Sequence, residues 1–215
     1  YAYKYHPTAG YMVQMPHLAD IGWNFLEQVE SSTRQVRTDG GTPETTYYQY
    51  DGSGQRIRKT TVCASDTGEG QVKDERIYIG GYEVYRKHSG AYKGLERVTI
   101  SLMAGSSRLV IIERRNDVDD GTEKKLERYQ FANVVGSSVL EIDDRCRVIT
   151  KEEYTPYGST SYQAHNKAIK AASKRYRYTG MERDEETGLS YHTARYYIPW
   201  LGRWLSADPI GIQGG

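Results

Sequence analysis

The segment YQYDGSGQRIRKT, residues 48–60, decides the fold class of this chain. Tyr48 and Tyr50 lie two positions apart, and side chains in a strand alternate with a period of two, so both rings lie on one face. Asp51 and the following Gly52-Ser53-Gly54 supply a tight turn. Residues 55–61 then alternate as a half-exposed strand does. The segment therefore predicts a strand, a turn and a second strand.

Looser copies of this unit recur along the chain at intervals of roughly eight to fifteen residues. One is YKYHPTAGY at residues 3–11, and another is a hairpin through Gly80-Gly81. Further strand pairs have turns near Gly105, Gly136 and Gly158. Because one hairpin cannot bury a face alone, neighbouring units must stack. We predict an all-β fold built as an antiparallel β-strip.

The composition agrees with many short strands that carry tyrosine on wet faces. The 215 residues include 20 Tyr and 22 Gly but only 2 Phe, and the net charge is +1. Disorder would require high net charge and few aromatic residues. The balanced charge provides no electrostatic footprint for nucleic acid or an anionic membrane, and no apolar run is long enough to span a bilayer. The first residue is Tyr1 and no signal peptide follows, so we expect a piece of a longer protein.

The secondary structure of several segments is ambiguous from sequence. Residues 18–29 place Ile21, Phe25 and Val29 at helical spacing but also fit strands around Trp23, and the pattern does not decide. Residues 164–173 favour a solvated connector over one or two helical turns. Loops are predicted from clusters of Gly, Asp and Thr, at residues 38–44, 64–74 and 116–125.

The cysteines and histidines suggest no metal or cofactor site. Cys63 and Cys146 lie far apart without metal-ligand spacing, so two free thiols are favoured over a disulfide. The histidines also lack ligand spacing and are interpreted as surface or packing residues, at positions His17, His88, His165 and His192. We predict no cofactor and no metal.

The last third of the chain has the most specific sequence. Residues 177–192 read RYTGMERDEETGLSYH, and residues 193–211 read TARYYIPWLGRWLSADPIG. This stretch resembles the RHS-repeat-associated core, which closes the YD-repeat shell of RHS toxins and of the B and C subunits of insecticidal Tc toxin complexes. The Tyr-Asp units upstream resemble YD repeats. Residues 15–18, 41–48 and 152–160 also resemble Tc-toxin-type RHS proteins, so the resemblance covers essentially the whole chain.

The resemblance implies an architecture and partners. YD repeats wind into a hollow shell, or cocoon, that encloses a C-terminal toxin polypeptide, and the core forms a plug at one end. Residues 1–174 would be the β-hairpin strip and residues 175–215 the core. The implied partners are the enclosed toxin and other RHS shell or Tc subunits, with no nucleic acid and no direct membrane insertion. The implied parent is a secreted toxin.

The resemblance also implies a candidate catalytic pair, Arg195 and Asp208. Asp208 in SADPIG matches a catalytic aspartate of self-cleaving relatives, and Arg195 in ARYY matches their essential arginine. The second aspartate of the family's dyad lies downstream of Gly215, so these residues alone are not expected to cleave. Without the resemblance, Asp208-Pro209 is an ordinary turn, and Arg195 is a cation stacked on Tyr196, Trp200 or Trp204.

The last third of the chain also contains a charged cluster and an aromatic cluster, and two other functions fit the same resemblance. The charges at residues 182–186 predict a solvated cluster or a salt-bridged turn, and the aromatic residues at 196–204 predict the core of a plug rather than a surface that binds a chain segment. The self-cleaving toxin cage has two alternatives, which are a non-enzymatic carrier shell and a cell-surface YD-repeat adhesion module.

Overall fold

The computed structural model describes residues 2–35, 38, 42–64 and 70–208. Residues 36–37 lie outside these ranges, as do residues 39–41 and 65–69 of two predicted loops and Pro209, Ile210 and Gly211 of the predicted C-terminal turn. Within the described ranges, no helix has the length and apolar character needed to cross a bilayer.

The chain folds into antiparallel β-structure. A small N-terminal pair consists of β1 (Lys4–Tyr5) and β2 (Met12–Gln14). A twelve-stranded sheet follows, formed by β3 (Leu18–Trp23), β4 (Val29–Arg34), β5 (Thr45–Tyr50), β6 (Arg56–Ala64), β7 (Gly70–Ile79), β8 (Tyr82–Lys87), β9 (Glu96–Ala104), β10 (Ser107–Arg115), β11 (Lys125–Ala132), β12 (Ser138–Ile142), β13 (Val148–Tyr154) and β14 (Thr160–His165). The last sheet has four short strands, β15 (Glu182–Arg183), β16 (Ser190–His192), β17 (Arg195–Ile198) and β18 (Arg203–Trp204).

Strand order in the large sheet follows chain order from β3 to β14, and each strand pairs antiparallel with its sequence neighbours. The predicted hairpin through Gly80-Gly81 joins β7 to β8, and it places Ile79 opposite Tyr82. Tyr48 and Tyr50 of β5 both face the main apolar core, as the period of two predicts. The predicted all-β antiparallel strip is confirmed.

A five-residue turn recurs between strands in the described residues. In the copy at Asp51, the side-chain Oδ1 accepts hydrogen bonds from the N–H groups of Ser53 (2.8 Å) and Gln55 (3.0 Å). Its fourth residue, Gly54, has φ +80°, in the left-handed region that glycine enters at little cost. The turn is closed by the Asp51 N–H, which donates to the Gln55 carbonyl at 2.9 Å. The same closure, from the first residue to the fifth, occurs in turns beginning at Asn24, Asn133, Asp143 and Thr155. Their fourth residues also have positive φ and are Glu27, Gly136, Cys146 and Gly158.

The main apolar core joins the start of the strip to the C-terminal sheet. Its buried residues from the N-terminal side are Met12, Met15, Leu18, Ile21, Val29 and Tyr48, and those from the C-terminal side are Leu189, Tyr196, Ile198 and Leu205. Burying one such side chain contributes about 1.5–3 kcal/mol. Met12 N–H also donates to the Leu205 carbonyl at 3.0 Å. Residues on both sides of the predicted boundary at 174/175 thus share one core, and the domain division itself stays a prediction.

The ambiguous segments now have definite structures. Residues 18–23 form β3, a turn follows, and Val29 begins the antiparallel strand β4, so the segment is not a helix. The connector after β14 is non-helical, as favoured, but it is not fully solvated because Ile169 packs against Leu126 and Ile149. The predicted loop at 64–74 is wrong for residues 70–74, which belong to β7 because they pair with the end of β6.

Candidate functional site

The hairpin of β16 and β17 positions Arg195. Its two-residue turn contains Thr193, whose φ is +61°. Tyr191 and Tyr196 are cross-strand partners on the face that packs against the core. His192 and Arg195 are the next pair and project to the opposite face, since successive side chains alternate.

Arg195 and Asp208 form an ion pair. Arg195 Nη2 lies 2.8 Å from Asp208 Oδ2, with side chains 21% and 36% exposed. The Arg195 guanidinium also lies 4.2 Å from the centre of the Trp204 ring. The structure therefore brings the two predicted site residues together, and the alternative reading, in which Arg195 stacks on an aromatic ring, is present in the same arrangement. Both contacts fix the guanidinium plane, because a charge-assisted hydrogen bond and a cation–π contact are directional.

His192 lies beside this pair. Its ring packs edge-on against Trp204, with centroids 5.1 Å apart and an interplanar angle of 89°. Its Nε2 is buried and has no hydrogen-bond partner among the described residues. Burial, and secondarily the charge of Arg195, lower the pKa of His192 from 6.5 to about 4, so the imidazole is neutral at pH 7. The lack of metal-ligand spacing predicts a surface or packing role for His192. The sequence signal that links it to the site is its position opposite Arg195 in the hairpin segment YHTAR.

Behind the hairpin, the cluster at residues 182–186 is salt-bridged but not solvated. Arg56 of β6 contacts Glu182 at 2.7 Å and Asp184 at 2.6 Å, and all three side chains are at most 5% exposed. Lys59 adds contacts to Asp184 at 2.9 Å and to Glu186 at 3.0 Å. The solvated alternative is wrong because strip cations, more than a hundred positions away in sequence, cover these acids.

The same network continues along the segment that enters the small sheet. Arg175 bridges Glu182 and Glu83, at 2.6 Å each. Lys174 and Arg177 both contact the buried Glu152, at 3.1 Å and 2.7 Å. Burial raises the pKa of Glu182, but Arg175 and Arg56 outweigh it and hold that pKa well below its usual range. Glu182 is therefore ionised and paired with both arginines. The ion pairs of this network hold the C-terminal segment on the strip.

The cysteines and the aromatic cluster at residues 196–204 are the other groups singled out from the sequence. Cys63 and Cys146 are both free thiols. Within the described part of the chain, no three His, Cys, Asp or Glu side chains are grouped so that they could hold a metal ion. Of the predicted aromatic cluster, Tyr196 is in the core, whereas Trp200 and Trp204 are 39% and 36% exposed. Only part of that cluster therefore fits the predicted plug core.

Known proteins resemble this chain over most of its length. No family model matches it. The chain is 38% identical over 170 residues to toxin subunit YenC2 of Yersinia entomophaga, which is 78% of this chain and 17% of that protein. It is 33% identical over 211 residues to toxin subunit YenC1 of the same organism, which is 97% of this chain and 21% of that protein. A crystal structure of TcdB2-TccC3-TEV superposes with a TM-score of 0.82 at 30% identity, over 96% of this chain and 10% of that one. The chain thus spans about a fifth of the length of these curated relatives.

Proposed function

This chain is an RHS-type, Tc-toxin-like protein, and we propose that it forms part of the hollow shell of a secreted toxin and encloses a toxin polypeptide. The proposed partners are that polypeptide and further RHS or Tc subunits. The similarity to two toxin subunits and to TcdB2-TccC3 supports this assignment.

The form of the large sheet supports the shell. Strands in chain order from β3 to β14 make a strip whose two edge strands offer backbone N–H and C=O groups for further pairing. A strip of this kind lengthens by adding hairpins at an edge, so longer relatives can build a wall from more copies of the same unit. The C-terminal segment, held on one face by buried ion pairs, would close part of that wall.

We propose further that Arg195 and Asp208 contribute to self-cleavage of the aspartyl type, which frees the enclosed polypeptide. The observation that supports this proposal is the 2.8 Å contact between them. In such a reaction one ionised carboxylate takes a proton from the attacking water, and a second, protonated carboxyl polarises the scissile carbonyl. Asp208 would be the first of these groups. Arg195 would orient it and stabilise the negative charge that develops on the carbonyl oxygen. The second carboxyl would come from a segment outside the described residues.

Intact mass spectrometry of the full-length gene product under denaturing conditions tests the proposal. We expect two fragments from the unmodified protein and one uncut chain from both Asp208→Asn and Arg195→Ala. Asp119→Asn is the matched control, because Asp119 forms an ion pair of 2.7 Å with Arg115 on the strip, away from this site. That variant should be cut normally. One uncut chain in every case would reject self-cleavage and leave a non-enzymatic carrier shell, in which Arg195 only stacks on Trp204 and pairs with Asp208.

A further inference from the structure

The buried, unpartnered Nε2 of His192 is energetically unfavourable for folding. An unsatisfied buried polar group costs about 1–3 kcal/mol. A phenylalanine at this position would fill similar space against Trp204 without that cost. Because nearly all buried polar side-chain atoms have a partner, an exception requires an explanation.

The location of the atom suggests the explanation. His192 is the cross-strand partner of Arg195, and both side chains contact the ring of Trp204. The imidazole is neutral at pH 7, so one ring nitrogen accepts a hydrogen bond and the other donates one. An uncharged group that can pair with a peptide amide therefore lies directly across the hairpin from Arg195, which is itself in contact with Asp208.

We propose that His192 positions the polypeptide segment that is cut at the Arg195–Asp208 pair, through a hydrogen bond between Nε2 and a backbone amide of that segment. This inference rests on the proposed self-cleavage. The ligand is an extended peptide backbone, recognised without regard to its side chains. Trp204 contacts the imidazole and is itself partly exposed. The indole is therefore the side chain that would have to move for the segment to reach Nε2.

The test measures the cleavage rate of the full-length gene product during cell-free synthesis, by pulse–chase and gel separation. His192→Phe keeps an aromatic ring but removes Nε2, and we expect cleavage to slow about tenfold or more. His192→Gln carries its terminal amide at about the reach of Nε2 and should restore most of the rate. His192→Asn is too short to do so. Thermal unfolding of the cleavage-deficient Asp208→Asn background should show the Phe variant at least as stable as its parent, because an unsatisfied atom has been removed.

Each other outcome overturns the inference. A Phe variant that cleaves at the parent rate would show that Nε2 has no part in cleavage. A Phe variant that is slow, less stable and not rescued by Gln would assign His192 a packing role only. An unmodified protein that is never cut would reject the proposed self-cleavage itself, and this result differs from the first two because no variant is needed to obtain it.

Discussion

Replacing Arg56 by alanine should loosen the C-terminal sheet from the strip. Arg56 is buried between Glu182 and Asp184, which its two Nη atoms contact at 2.7 and 2.6 Å. Its guanidinium also lies 4.3 Å from the centre of the Tyr191 ring. The substitution removes both ion pairs and this ring contact, and it leaves two carboxylates buried.

The size of the effect follows from what remains around each carboxylate. Removing one partner of a buried ion pair costs about 3–5 kcal/mol, because the other charge stays buried without compensation. Glu182 would keep Arg175, and Asp184 would keep Lys59. We therefore expect the substitution to lower the free energy of unfolding of the C-terminal sheet by about 3 kcal/mol, the lower end of this range.

Amide hydrogen exchange in β15–β17, with urea unfolding followed by tryptophan fluorescence, measures this loss. Lys151→Ala is the control, because Lys151 pairs with Glu153 at 2.9 Å on another strand of the strip and the two side chains are 56% and 55% exposed. Exposed ion pairs contribute about 0–1 kcal/mol. Equal losses for the two substitutions would refute the reasoning that burial of the acids, rather than the number of ion pairs, sets the cost.

Three further predictions concern the turns and pH. Cys146→Gly should raise the free energy of unfolding by about 0.5–1 kcal/mol in urea titrations, because φ of +59° strains a residue with a Cβ. Gly158→Ala should cost about 2–3 kcal/mol in the same assay, since its Cβ would lie 2.4 Å from the Tyr178 ring, whereas Gly54→Ala should cost about 1 kcal/mol. Below pH 6.5 the unfolded chain protonates His192 and the folded chain does not, so stability should fall between pH 6.5 and about 4, by at most about 3 kcal/mol. His192→Phe should lack this part of the pH dependence; an unchanged profile would contradict the assignment.

The strip could be predicted from sequence because its contacts are local. Each strand of the large sheet pairs with the next one along the chain, so period-two alternation and glycine turns already specify the neighbours. The prediction fails where pairing overrides composition. Residues 70–74 look like a loop because they contain Gly and Asp, yet Gln71 and Val72 pair with Cys63 and Val62 and extend the hairpin.

The site could be predicted only in part, because its contacts are distant in sequence. Nothing local to residues 182–186 shows that Arg56 covers them, so the sequence leaves a solvated cluster and a salt-bridged turn as equal alternatives. The family resemblance alone points to Arg195 and Asp208, whereas the local sequence favours a turn at Asp208 and a stacked cation at Arg195. The absence of a hydrogen-bond partner for His192 Nε2 among the described residues depends on how β16, β17 and β18 pack together, so it cannot be predicted from the sequence.

The charge network and the candidate site lie on opposite faces of one hairpin, and this arrangement couples them. On the inner face, Arg56 Nη1 donates to Tyr196 Oη at 3.0 Å, and its guanidinium stacks on Tyr191. On the outer face, the adjacent residue pair is His192 and Arg195. Tyr191 and Tyr196 are covalently continuous with His192 and Arg195 on the same two strands. A shift of the two tyrosines against Arg56 must therefore also move His192 and Arg195 on the other face. We therefore expect Arg56→Ala to slow the proposed self-cleavage as well as to destabilise the sheet, although Arg56 belongs to the opposite face.

The same intact-mass assay measures this effect in the full-length gene product, with Lys151→Ala again as the control. A misplacement of about 1 Å is enough to cost about a hundredfold in rate, so partial cleavage is expected from Arg56→Ala and complete cleavage from the control. Complete cleavage in both variants, together with faster hydrogen exchange in β16 and β17 for Arg56→Ala alone, would show that the charge network does not affect the candidate site. The core contacts of Tyr196 and Ile198, rather than the buried charges, would then be what holds Arg195 in place.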